Sequence, residues 1–178
     1  MKKIATIFLL SIFSGFAFTY ITKQTVTKAA VTFQIKNLGI NVGGSFSGLK
    51  ADINFDPEHL ETSSIAASVQ TYTVNTDNET RDHHLKSDSY FDAEKYPEIK
   101  MKSVSFKHNS GNNYTGTFDL TIKDKTNQVQ VPFTYTENGN DSEFKGTLKI
   151  KRTDYGVGGR SMVMSNDVTI SIDVSTTK

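Results

Sequence analysis

The chain has 178 residues, no cysteine and no tryptophan, and a formal charge of +1. That length suits one β domain with an N-terminal extension, and the lack of cysteine excludes disulfides and an acylated lipoprotein anchor. The near-neutral balance lacks the basic stripe of a nucleic-acid-binding surface, so no nucleic-acid partner is expected.

Met1-Lys2-Lys3 is a basic start, and Ile4 to Phe18 is apolar apart from small and hydroxyl residues. This is the n-region and h-region pattern of a secretory signal. It predicts that residues 1–21 direct the chain to the periplasm or the medium. Ala17-Phe18-Thr19 only approximates the small-x-small cleavage pattern. The apolar stretch extends to Ile21, close to the roughly 18 to 20 residues that span a bilayer, so an uncleaved anchor is the competing expectation. Losing Lys2 and Lys3 would take the formal charge from +1 to −1. Residues 22–30 read as a polar linker and 31–178 as the folded domain.

Short runs of period-two alternation follow, separated by turn residues. Strands are predicted at about 31–37, 42–55, 64–74, 98–107, 113–123, 127–136, 142–151 and 167–175. The alternation is clearest in Phe118, Leu120 and Ile122, in Val129, Val131, Phe133 and Tyr135, and in Val168, Ile170, Ile172 and Val174. Gly43, Gly44 and Gly48 inside the second run suggest a bulge or a barrel corner. The third run offers a row of reduced bulk in Ile65, Ala67, Val69, Thr71 and Thr73, which hints at internal space. Asn109 to Asn112, Lys123 to Thr126 and Glu137 to Asp141 read as hairpin connectors. Helix signals are confined to Pro57–Leu60 and Glu79–Lys86. The fold expected is all-β, an eight-stranded antiparallel, lipocalin-like barrel with a short helical lid segment, wide enough for side chains or one ligand.

On a helix, Arg81, His84, Leu85 and Asp88 share one face. A cation, an imidazole and a carboxylate there could recognise a polar or phosphorylated headgroup at a barrel mouth; the alternative is a solvated helix capped by Asn78. Asp82-His83-His84 lacks the i, i+4 spacing of paired metal ligands, and no metal or cofactor is expected. Gly43-Gly44-Ser45-Phe46-Ser47 misses the last glycine of a nucleophile elbow. Gly156-Val157-Gly158-Gly159 lacks both the third glycine of a dinucleotide loop and its βαβ setting.

Several stretches resemble the YceI-like family of secreted bacterial lipocalin-like proteins. The most specific is Arg81-Asp82-x-His84-Leu85-Lys86-Ser87-x-x-Tyr90-Phe91-Asp92, followed by Tyr96-Pro97-x-Ile99. Phe33-x-Ile35-x-Asn37-Leu38-Gly39, Gly44-x-Phe46, Asp52-x-x-x-Asp56-Pro57, Leu120-Thr121-Ile122 and Lys151-Arg152-x-Asp154-Tyr155-Gly156 extend the likeness over nearly the whole domain. The family usually has histidine where this chain has Asn37. The resemblance implies a barrel with an apolar tunnel for a polyisoprenoid chain. It makes Arg81, Asp82 and His84 candidates for the headgroup end, and places Tyr90 and Phe91 near the mouth.

The combined expectation is a non-enzymatic periplasmic lipid-binding protein. Phe118, Leu120 and Val131 would line its tunnel. Arg81 would fork onto the headgroup, His84 would add a donor that strengthens on protonation, and Asp88 would orient Arg81. The partner is a polyisoprenoid or another long-chain amphiphile, with transient membrane contact. A small lipid-directed enzyme and a filled-barrel interaction module are the alternatives.

Overall fold

The computed structural model describes residues 23–178, so the expected signal or anchor segment, residues 1–21, lies outside the described residues. Nine strands form one antiparallel sheet: β1 (Thr25–Asn37), β2 (Ile40–Phe46), β3 (Lys50–Asn54), β4 (Ser64–Gln70), β5 (Glu98–Ser110), β6 (Asn113–Ile122), β7 (Lys125–Asn138), β8 (Asp141–Lys151) and β9 (Met164–Thr177). Their order is β2-β1-β9-β8-β7-β6-β5-β4-β3. The sheet curls up-and-down as expected, but its seam lies between β2 and β3, while β1 and β9 pair with each other.

The structure departs from two expectations. The run 42–55 is not one strand: it breaks at Ser47–Leu49, where Gly48 takes the left-handed φ of 70°. A residue without Cβ adopts that conformation at no steric cost, and the turn sends β2 and β3 to opposite edges of the sheet. The strand count is therefore nine. Residues 22–30 are not a linker, because β1 begins at Thr25. Just before it, Gln24 is 1% exposed, its amide donating to the Phe55 carbonyl at 3.1 Å and its Oε1 accepting from the Thr176 hydroxyl at 3.1 Å. A polar composition concealed a strand whose partners lie almost the full chain length away.

Smaller differences concern ends. The third predicted strand stops at Gln70 and continues as a 3₁₀ turn, Thr71–Thr73, whose buried Thr71 hydroxyl donates to the Tyr96 carbonyl at 2.8 Å. Pro57–Leu60 forms turns rather than a helix. The helix α1 spans Glu79–Lys86 as read from sequence, and the Asn78 side chain caps it by accepting from the Arg81 backbone N–H at 2.9 Å. Such a cap satisfies one of the orphan donors of a first turn.

The strand alternation resolves into two ends of different character. At the end formed by the β5–β6 and β7–β8 hairpins, Phe55 packs against Phe106, Tyr114, Phe133, Tyr135 and Phe144 with ring centroids 4.9 to 5.7 Å apart. These contacts are edge-to-face, the arrangement favoured by the ring quadrupole. They seal that end. At the other end α1 and the segment after it lie across the barrel. Between the two, inward residues such as Ile65, Met101, Ile170 and Ile172 are only partly buried. They face open space.

Candidate functional site

That space is a cavity of about 600 Å³. Its walls come from alternate residues of every strand, among them Phe33, Val69, Ile99, Phe118, Leu148 and Ile172. A volume of this size is typical of small-molecule and lipid sites. Phe118, Leu120 and Val131, the expected lining, all face it. So does Ala67, with its cross-strand neighbours Ala51 and Met101, and these two alanines leave the room that larger side chains would fill. The exposed lining residues Asn37, Asn78, Thr80 and His84 mark the mouth, between α1 and the β1–β2 turn.

The lid is fastened at several points. Phe46 of β2 meets Phe91 edge-on at 5.5 Å and Phe33 of β1 at 5.6 Å, an aromatic chain from sheet to lid. The Gly158 N–H donates to the Ser89 carbonyl at 2.9 Å, and the Lys123 ammonium donates to the Asp88 carbonyl at 2.9 Å. Residues before the helix close the seam: Ser45 and Asn75 exchange backbone hydrogen bonds of 2.8 and 3.0 Å.

The structure brings seven of the nine expected site residues to the cavity: Arg81, His84, Tyr90, Phe91, Phe118, Leu120 and Val131. It separates the other two from it. Asp82 turns back to the seam, its Oδ1 accepting from the Thr76 N–H at 2.9 Å and the Thr76 hydroxyl at 2.5 Å. Asp88 lies beyond the helix end, exposed, and its carboxylate accepts only from the Ser89 hydroxyl at 3.2 Å among the described residues. The helical face drawn through it ends at Lys86, so Asp88 cannot orient Arg81. Thr76 does so instead. Its hydroxyl accepts from Arg81 Nε at 2.7 Å, and its carbonyl accepts from Nη2 at 2.6 Å. The relay Arg81–Thr76–Asp82 holds the guanidinium in one rotamer. Nη1 donates to no described residue.

Arg152 was not among the expected site residues. It follows β8, lines the cavity and is 4% exposed. Its donors reach the carbonyls of Ser165, Val157 and Gly159, each at 2.9 Å, and Asn166 Oδ1 at 3.3 Å. Burial lowers its pKa from the ordinary value, yet a guanidinium remains charged at neutral pH. Two of the four acceptors are carbonyls of the glycine run, which thus helps to cradle a cation. Gly158, at φ 67°, packs so closely that a Cβ would lie 2.9 Å from the Tyr90 ring and 3.0 Å from Arg152 Nη1. The sequence signal for this was the Lys151-Arg152-x-Asp154-Tyr155-Gly156 stretch.

The YceI-like domain profile matches residues 23–176. The chain belongs to the YceI-like family. A UPF0312 protein of Pseudomonas savastanoi pv. phaseolicola is 28% identical over 174 residues, covering 94% of this chain and 89% of its own. A UPF0312 protein of Pseudomonas fluorescens is 32% identical over 150 residues, covering 77% and 75% respectively. BcnA of Burkholderia cenocepacia superposes with a TM-score of 0.79 at 26% identity, over 83% of this chain and 95% of that one. A polyisoprenoid-binding domain from Saccharophagus degradans, implicated in plant cell wall breakdown, superposes with a TM-score of 0.68 at 13% identity, over 87% and 97%. At that identity the likeness is one of fold.

Within this YceI-like barrel the arginine relay depends on Gly44. A Cβ there would lie 2.4 Å from the Phe33 ring and 2.8 Å from the Thr76 methyl group. Gly44→Val is expected to displace Phe33 or Thr76 and so release Arg81. Overpacking of this kind costs roughly 1 to 3 kcal/mol. Denaturant unfolding would read that cost, and a midpoint equal to the parent's would refute the close packing.

Proposed function

We propose that this protein is a non-enzymatic carrier that holds a polyisoprenoid or similar long-chain amphiphile in its barrel, with the polar end at Arg81 and His84. The single observation that carries the reading is the apolar cavity of about 600 Å³. It also speaks against the filled-barrel alternative. The fold it shares with a protein described as polyisoprenoid-binding supports the ligand class. Convergence of Arg81, His84 and Asp88 inside the cavity would favour the enzymatic alternative, and Asp88 lies away from it.

Magnitudes shape what such a carrier does. At about 30 Å³ per water-sized group the cavity takes on the order of twenty chain carbons. At roughly 0.8 kcal/mol per CH₂ that is about 16 kcal/mol of transfer free energy from water. A bilayer offers the chain nearly the same environment. The protein's preference over membrane is therefore small, the headgroup sets specificity, and the barrel acts by shielding the lipid in transit. Export by residues 1–21 would place this activity in the periplasm.

Native mass spectrometry of gently purified protein is expected to show a co-purified lipid. N-terminal sequencing of the same sample should give a start near residues 18–24. A ligand-free spectrum after purification and after incubation with isoprenoid lipids would sink the carrier reading; an intact Met1 in the membrane fraction would replace the cleaved signal with an anchor.

A further inference from the structure

Four large apolar side chains stand in water beside the mouth. Leu38 and Ile40, at the β1–β2 turn, are 71% and 69% exposed, and Met162 and Val163, in the loop before β9, are 105% and 51% exposed. The two tips form one unit: the Leu38 N–H donates to the Val163 carbonyl at 2.8 Å, and Asn37 pairs with Met164 across the sheet. Asn37, Val42 and Met164 also line the cavity, so the cluster flanks its opening. Single exposed apolar residues need no explanation, whereas a contiguous cluster at an apolar opening does.

Turn chemistry makes leucine a costly choice here. Leu38 has φ 52° and Gly39 φ 78°. A two-residue turn with both φ positive favours asparagine or aspartate before glycine, and a bulky residue in that region is strained. Neither turn geometry nor solubility therefore favours Leu38. The charges agree with one kind of partner. Residues 34–41 and 158–166 contain Lys36 and Arg160, both exposed, and no carboxylate. Apolar tips with cations alone match an anionic lipid interface. Two copies of the chain meeting tip to tip would instead bring like charges together.

We propose that these tips dock the cavity mouth onto an anionic phospholipid surface. Leu38, Ile40, Met162 and Val163 enter the interface while Lys36 and Arg160 meet lipid phosphates. A chain could then pass between bilayer and barrel without crossing water. The purpose of docking rests on the carrier reading; the docking itself is measured without any cargo.

The absence of cysteine makes single-site labelling direct. In the full chain, Leu38→Cys, Met162→Cys and, at the opposite end, Asn140→Cys each receive a polarity-sensitive fluorophore. Vesicles of phosphatidylglycerol with phosphatidylcholine should raise emission several-fold at the two tip sites and leave Asn140→Cys unchanged. Pure phosphatidylcholine or high salt should weaken the response. An equal rise at all three sites would assign contact to residues 1–21 and overturn the proposal. A rise without vesicles that grows with protein concentration would indicate self-association and overturn it as well. The variant carrying Leu38→Asp and Met162→Asp should keep equilibrium binding of a fluorescent isoprenoid in solution but transfer it between vesicles several-fold more slowly; unchanged transfer would also overturn it. Loss of isoprenoid binding in the parent protein, with the tip signals intact, would remove the carrier reading and leave docking standing.

Discussion

Replacing Ala67 with phenylalanine is expected to abolish uptake of a long-chain lipid while costing less than about 1 kcal/mol of stability. Ala67 sits on β4 between Ala51 and Met101, and all three face the cavity. An added phenyl ring would project into space that a chain needs and that protein atoms do not fill. In a filled core the same change would be overpacking, at roughly 1 to 3 kcal/mol. The closed end provides the contrast. Phe55 is 3% exposed and touches five other rings, so Phe55→Ala should cost about 3 to 5 kcal/mol. Denaturant midpoints of the two variants, with binding of a fluorescent isoprenoid, test both ends together. Strong destabilisation by Ala67→Phe would mean that the cavity is collapsed in solution.

Arg81→Ala is expected to erase headgroup preference and leave hydrocarbon binding nearly unchanged. The relay to Thr76 and Asp82 fixes the guanidinium before any ligand arrives, which lowers the entropy cost of a further hydrogen bond. Hydrogen bonds to a charged group contribute about 1.5 to 3 kcal/mol, and each 1.4 kcal/mol is tenfold in affinity. Loss of an anionic or carbonyl-bearing lipid should therefore reach roughly 10- to 100-fold. An apolar chain of equal length should lose little. The comparison matters because Arg81 also holds Thr76, and Thr76 belongs to the segment that closes the seam. Equal loss for both ligands would make Arg81 a fastening of the lid and remove it from the headgroup site.

Much of this protein is written in local pattern. Period-two alternation in Phe118, Leu120 and Ile122 reports which face is buried, because successive strand side chains point to opposite sides whatever the partner strand is. Asn78 before Glu79 sets the start of α1 for the same reason, since a cap acts within one turn. The stretch from Arg81 to Asp92 carried the family resemblance, and Arg81, His84, Tyr90 and Phe91 do face the cavity. Pairing across long sequence separations decided the rest. Thr25 to Ala30 look polar and linker-like, yet backbone pairing with β9 makes them strand, and hydrogen bonds to Phe55 and Thr176 bury the preceding Gln24. Gly48 marked a bend, but only the pairing of β1 with β9 sends β2 and β3 to opposite edges. Helical spacing put Asp88 on the Arg81 face, whereas the helix ends before it and Thr76, from the preceding segment, holds the guanidinium. Arg152 becomes a buried cation at the cavity because carbonyls of its own following loop fold back around it. Side-chain direction within a strand is a property of the chain; which atoms meet at a site is a property of the curled sheet.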